Sequence, residues 1–336
     1  MINHKMIVKQ KNHTAFDLTG RIYSLISMGL IVCVIAFIFI VLIRYGWGVL
    51  SIDFLTTEPD PSALHASSGG ILTPMIGTFL LTVMGIVIAF PFALATAIYL
   101  SFYTKKGIFK TLVKSAVDIL AGVPTIVIAL FALVVFTLPQ FGFLSAVVDT
   151  RFIDESGIAG GTVRAYGRSF FVSGITMAVM ILPFVIKSME EALKSVPSPY
   201  IDAAFALGAS KWRTISKVVI RAARDGIVTG VILGMGRIIG DTAIVWLTLG
   251  GSIRMTGNQP WFSPENWLST LRNVGGTLTT YIYYASPAGE GNQYDVAFGA
   301  AIILIGIILL LNIIATIIGK MGTKENGRAN RRSYQH

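Results

Sequence analysis

Charge is what this chain has least of. Only 13% of its 336 residues are Asp, Glu, Lys or Arg, about half of the roughly 25% usual in soluble domains. Cysteine occurs once, at Cys33, so no disulfide forms within the chain. The four histidines, His4, His13, His65 and His336, sit in the tails and one loop without metal-ligand spacing. No G-x-x-x-x-G-K-[ST] phosphate loop occurs anywhere, which excludes a self-contained ATPase.

What the chain has instead is apolar length. Hydrophobic residues make up 54% of it and the mean hydropathy is +0.71. They fall in runs of about 20 or more, the length a helix needs to cross a bilayer. Soluble helices interrupt such runs every third or fourth position. The pattern predicts an all-α, polytopic membrane protein with about six spans, near 22–44, 74–102, 111–138, 170–189, 225–250 and 295–319. The first run is too long for a signal-peptide core and is read as a retained span. Pro91, Pro124 and Pro183 fall within three spans, where a proline kinks the helix and frees a carbonyl.

A net charge of +10 raises the question of nucleic acid, and the placement of the charge answers it. Twenty of the 27 basic residues lie in the two tails, the second-to-third loop and the fourth-to-fifth loop. Six lie in the other loops, and Arg237 lies within a span. The positive-inside rule then puts both termini in the cytoplasm. Membrane lipid, and not nucleic acid, is the expected surroundings. The outer loops, near 45–73, 139–169 and 251–294, are rich in Gly, Ser, Thr and Asn. WFSPENW in the last is expected to form a short interfacial helix. The basic segment 320–336 is expected to be disordered.

The fourth-to-fifth loop, EEALKSVPSPYIDAAFALGASKWRTISKVVIRAARDG, carries a helix-start signal. Pro197 and Pro199 precede Asp202 in a first turn, and Gly208 ends or bends the helix. By composition alone this is an amphipathic loop helix lying on the membrane. Its offsets, however, resemble the E-A-A, three residues, Gly, nine residues, I-x-L-P pattern of permease subunits in ATP-binding-cassette importers. Asp202-Ala203-Ala204, Gly208, Val218 and Ile220 fall at that spacing, with Asp202 for Glu and Arg221 for Pro. The resemblance implies a coupling helix, near 199–215, that docks into a groove on a separate ATPase. A face of small residues lets it sit deep there.

The fifth span reads DGIVTGVILGMGRIIGDTAIVWLTLGG. Gly226, Gly230 and Gly234 recur every fourth residue, as do Gly236 and Gly240, a small-residue spacing that lets helices pack closely. Arg237 and Asp241 stand four apart on one face. A charge at mid-membrane costs about 2.5–3.5 kcal/mol on insertion scales, so it has a cavity, a partner or a pathway. One reading is a buried ion pair in which the two neutralise each other. The other is an anion site, where the guanidinium binds phosphate bidentately and Asp241 orients it or takes a proton. The two hold in turn if the pair opens as substrate passes. Asp118, one turn after Lys114, is expected to pair with it near the cytoplasmic interface. Trp246 is left open between helix packing and lipid.

Here the resemblance narrows. GRIIGDTAIVWLT is similar to the G-R-x-x-G-E-[TA]-A segment of phosphate permeases, with Asp241 for Glu and Thr242 beside it. DILAGVPTIVIALFAL resembles the family's [IL]-x-x-x-P-S-I-V segment, with Thr125 for Ser, and GGILTPMIGTFLLT and LLLNIIA look more like its PstA than its PstC member. The likeness implies a MetI-like permease architecture. It places a cytoplasmic tail at 1–21, a first span and extracytoplasmic loop at 22–73, a permease core at 74–319 and a basic tail at 320–336. It also implies inward phosphate transport, with Arg237, Asp241 and Thr242 on the substrate pathway. Asp202, Ala203, Ala204 and Gly208 are then the coupling residues. The implied partners are two ATPase subunits that carry ATP and Mg, a PstC-like sister permease and an extracytoplasmic phosphate-binding protein. The chain itself is expected to hold no cofactor or metal and to have no catalytic residue. Other oxyanions or solutes remain alternatives, as does a secondary transporter or channel using Arg237 and Asp241 as a relay.

Overall fold

The structure, a computed structural model, describes residues 2–59, 69–104, 107–145, 147–149, 163–252, 255–289, 291 and 293–333. Lys105, Lys106, Arg151, Arg254, His65 and His336 lie outside these, as does much of the second outer loop. Thirteen α-helices and one small sheet occur among the described residues. The chain opens with α1 (Ile2–Gly46) and the short α2 (Ile52–Thr56). α3 (Leu72–Ile98), α4 (Ile108–Gly122) and α5 (Thr125–Phe136) follow. Strands β1 (Val147–Asp149) and β2 (Val163–Ala165) pair antiparallel, Val148 opposite Arg164. Then come α6 (Phe170–Lys194), α7 (Ser198–Ala206), α8 (Lys211–Thr214), α9 (Ile220–Ala222) and α10 (Arg224–Gly240). The chain continues through α11 (Trp267–Arg272), α12 (Leu278–Ala285) and α13 (Tyr294–Ser333).

Four helices among the described residues are long and apolar enough to cross a membrane: Asp17–Val49, Leu72–Tyr103, Phe170–Lys194 and Tyr294–Ile317. They are the first, second, fourth and sixth expected spans. The third and fifth are not continuous. α4 and α5 meet at 100° across Val123 and Pro124. Proline pushes the residue before it out of the helical region, and Val123 is extended at ψ 128°. At 1.5 Å per residue the legs are about 22 and 18 Å, each short of the ~30 Å hydrocarbon core. Pro91 and Pro183 behave differently: each lies inside an unbroken helix.

The core is the sandwich of α3, α6 and α10. Ile181, Val185 and Met189 of α6 are buried in it, with Leu81 and Ala89 of α3 and Ile227 and Ile238 of α10. The Gly226, Gly230 and Gly234 stripe is what brings α10 onto α6. A Cβ added at Gly226 would meet Ala192 Cβ at 2.5 Å, and one at Gly230 would meet Ser188 Oγ at 3.0 Å. Gly236 and Gly240 correct the expectation of a second packed stripe, since nothing lies within 4 Å of a Cβ added at either. Their face of α10 is open.

A second cluster joins Phe54 of α2, Leu278 and Tyr281 of α12, and Val296 and Ala300 of α13. α1 lies beside α13 and turns Leu25, Leu30, Ile35 and Phe37 outward, which suits a helix whose solvent is hydrocarbon. The segment after 319, expected as a disordered tail, continues α13 as helix to Ser333. Lys, Glu, Arg and Ala there are good helix formers.

Candidate functional site

The fifth span stops at Gly240 because the next residue prefers to cap. Asp241 is extended (φ −84°, ψ 126°), and its Oδ1 accepts from the Ile244 N–H at 2.7 Å. A carboxylate that satisfies the free amides of a new turn competes with helix continuation. The Thr125 hydroxyl and the Ala243 N–H are further polar neighbours of this carboxylate. The Thr279 hydroxyl donates to the Asp241 carbonyl at 3.4 Å. One residue therefore ties the end of α10 to the turn that follows and to α12.

α12 is placed with equal care. Thr277 and Thr280 form a reciprocal capping box at its start. The Thr78 hydroxyl of α3 accepts from the Leu278 N–H at 2.9 Å, which pins that start to the core. Between these elements lies a cavity of about 660 Å³. Thr242, Thr279 and Ser286 give it hydroxyls, while Trp246, Tyr283 and Ile126 give it apolar and aromatic wall. Trp246 is half-buried and packs against α12, its ring 5.4 Å from that of Tyr283 and 4.8 Å from that of Tyr284.

Arg237 is one turn back from Asp241, on the open face of α10. Among the described residues no ion pair joins the two, which corrects the reading of a pair closed at rest. The guanidinium carbon sits 3.5 Å from the centroid of the Phe184 ring instead. A cation over an aromatic face keeps its N–H groups free at the edge. Arg237 and Asp241 thus flank one stretch of α10 without a direct ion pair, close enough for the guanidinium's charge to act on the carboxylate.

The fourth-to-fifth loop forms the expected short helix, but it starts at Ser198, so Asp202 is its fifth residue and lies beyond the first turn where it was expected. α7 covers Asp202, Ala203 and Ala204. Gly208 follows at φ +74°, its N–H donating to Phe205 O at 2.9 Å, while the Ala209 N–H donates to Ala204 O at 3.1 Å. These two bonds are a Schellman C-cap, which favours glycine at the left-handed position. Asp202, Ala203 and Gly208 are exposed, and so are Tyr200, Phe205 and Leu207. Arg221, where the resemblance expects proline, lies in helix α9, and the chain turns at Ala223.

Two interhelical ion pairs, and one within α6, escaped sequence reading. Asp118 pairs with Lys187 of α6 at 2.6 Å, not with Lys114. Lys114 instead reaches Glu190 at 3.2 Å, and Lys194 reaches the same oxygen at 2.5 Å. Local i,i+4 spacing suggested the Lys114 pair, but the antiparallel approach of α4 and α6 offered better partners. Thr125 and Thr279 were also missed. The capping pattern at Thr277 was the one signal in the sequence that the second of these sits on an ordered helix.

Long apolar helices, broken spans that gather polar side chains, and an exposed, capped helix between two spans define a multi-pass transport permease. The family described as the binding-protein-dependent transport system inner membrane component matches residues 89–321, and the chain belongs to it. The phosphate transport system permease protein PstA of Haemophilus influenzae is 31% identical over 306 residues, 90% of this chain and 93% of that one. PstA 1 of Mycobacterium tuberculosis is 29% identical over 319 residues, 95% of this chain and 91% of that one. In fold the chain is similar to a subunit of a bacterial alginate ABC transporter, solved in complex with an alginate pentasaccharide-bound periplasmic protein. That match has a TM-score of 0.57 at 17% identity and covers 89% of this chain and 95% of that one. The chain is the membrane subunit of an ATP-binding-cassette importer and is PstA-like in sequence.

Proposed function

We propose that this permease moves inorganic phosphate inward by alternating access. The observation that carries the proposal is the stretch of α10 from Arg237 to Thr242. There an uncancelled guanidinium stands one turn from a hydroxyl-lined cavity at a helix break. Arg237 binds the anion, with the bidentate fork that suits phosphate oxygens. Thr242 offers a hydroxyl along the pathway. Asp241, with its carboxylate already accepting from the Ile244 N–H, acts by holding the break in shape. The names of the PstA relatives support the choice of anion.

Energy enters through α7. Asp202, Ala203, Ala204 and Gly208 dock on an ATPase subunit, two of which bind ATP and Mg. A PstC-like sister permease completes the pathway, and an extracytoplasmic phosphate-binding protein delivers the substrate. The placement of basic residues supports cytoplasmic termini and a cytoplasmic α7. The chain itself contributes no cofactor and no catalytic group.

The test is uptake of radiolabelled phosphate by proteoliposomes holding all subunits, with sulfate as competitor. Arg237→Gln is expected to abolish uptake while the complex still assembles. Full uptake by that variant, or equal competition by sulfate, rejects the assignment.

A further inference from the structure

Two wide turns lie at the α7 end of the bundle. α3 runs into a π-turn, Tyr99–Tyr103, closed by the Thr104 N–H donating to Tyr99 O at 3.0 Å. The chain between α8 and α9 makes another, Ile215–Val219. Such turns frequently mark functional sites. Between them the Lys211 ammonium, at the start of α8, lies 4.5 Å from the centroid of the half-exposed Tyr103 ring. α7 and α8 are one short link apart. Gly208 and Ala209 close α7, and the Ser210 hydroxyl accepts from the Arg213 N–H at 3.4 Å to cap α8. Ile201 of α7 packs against the α3–α6–α10 core. The chain carries a push on α7 through α8 and α9 into α10. At the start of α8, Lys211 touches α3's end through the Tyr103 ring.

We propose that Tyr103 is a positioning residue for energy coupling: its ring takes up the motion of α7 and α8 through Lys211 and passes it to α3. The inference rests on the reading of α7 as the helix that docks on the ATPase. α3 is unbroken through Pro91 and carries Thr78, whose hydroxyl pins the start of α12 at the wall of the Asp241 cavity. Twenty-five residues separate Tyr103 from Thr78, about 37 Å of helix. α10, driven along the chain, meets the same cavity at Thr242. One input then moves both helices that pack on α6. A ring face suits a moving joint. It attracts an ammonium across its width, whereas a hydrogen bond weakens steeply once its angle falls toward ~120°.

The experiment measures phosphate moved per ATP hydrolysed by the whole transporter in proteoliposomes, with its binding protein present. Tyr103→Leu keeps apolar bulk and loses the ring face, while Lys211→Gln keeps a polar chain and loses the charge. Each is expected to lower the ratio about two- to fivefold, the worth of a cation–π contact at an exposed site, with the yield of assembled complex unchanged. Tyr103→Phe and Lys211→Arg keep the interaction and should stay near the parent. The double variant of Tyr103→Leu with Lys211→Gln should be no worse than either single one, because both remove the same contact. A parental ratio in the single variants overturns the proposal, and so do losses that multiply in the double variant. Should Tyr103→Leu assemble badly, Lys211→Gln alters only an exposed side chain and carries the same test. Gly208→Arg separates the two readings. If it leaves ATPase stimulation intact, α7 is not the docking helix; if it abolishes stimulation while Lys211→Gln couples normally, the role of Tyr103 alone falls.

Discussion

Arg237 and Phe184 are stacked, the guanidinium carbon 3.5 Å from the ring centroid, across the contact of α10 with α6. The ring holds the cation in place without neutralising it. A cation–π contact is worth about 0.5–2 kcal/mol depending on solvation. Phe184→Leu, which keeps apolar bulk and loses the π face, is expected to lower phosphate uptake several-fold with assembly intact. Phe184→Tyr should remain close to the parent. Equal uptake by the Leu variant would falsify the positioning role of the ring.

Asp241 caps a new helical turn through its Oδ1, an interaction that an amide oxygen can also make. Asp241→Asn is therefore expected to retain most of the thermal stability of the purified complex. Asp241→Ala, which removes the acceptor, should cost about 0.5–2 kcal/mol. Thermal melts in one detergent decide the matter, and equal losses for Asn and Ala would rule out the capping account.

Gly208 is exposed, and a side chain there meets nothing within 4 Å. Its constraint is the left-handed backbone at φ +74°, which costs most residues about 1–2 kcal/mol and Asn less. Gly208→Asn should leave transport-coupled ATP hydrolysis near its starting value. Gly208→Arg should insert and assemble in the membrane yet lose most stimulation of the ATPase. Stimulation by the Arg variant equal to the parent's would remove α7 from the coupling path.

The two glycine stripes of α10 predict opposite outcomes. Gly226→Ala and Gly230→Ala drive a methyl into α6, at 2.5 Å from Ala192 Cβ and 3.0 Å from Ser188 Oγ. Overpacking of this kind costs about 1–3 kcal/mol. Gly236→Ala and Gly240→Ala meet no atom of this chain and gain helix propensity of up to about 1 kcal/mol. Melting of the isolated chain should separate the pairs; a large loss at Gly236 would mean that the open face is packed after all.

Much of this was legible in the residues. Hydropathy gave the four unbroken spans, because a run of apolar side chains has one outlet in a bilayer. The Asp202–Gly208 offsets gave α7 and its stop, because a left-handed C-cap calls for glycine. The breaks were harder. Pro91, Pro124 and Pro183 look alike in sequence, yet only Pro124 splits its helix. It follows Gly122 and a leg carrying Lys110, Lys114 and Asp118, which leaves that leg poorly suited to hydrocarbon. Asp241 read as half of an ion pair, because i,i+4 spacing presumes a continuous helix, and its own capping bond ends that helix. Lys187 and Glu190 found partners on α4, a contact that no local spacing encodes.

The elbow between α4 and α5 makes the third span a bell-crank. Two arms set at 100° share a pivot at Val123 and Pro124, and the first residue past the pivot, Thr125, is a polar neighbour of the Asp241 carboxylate. The far arm is gripped by α6 through Asp118–Lys187 and Lys114–Glu190, close to where α6 hands the chain to α7. A push on α4 from α6 arrives at that pivot. A straight helix would transmit such a push along its own axis. A crank turns it sideways, at the point where α10 breaks.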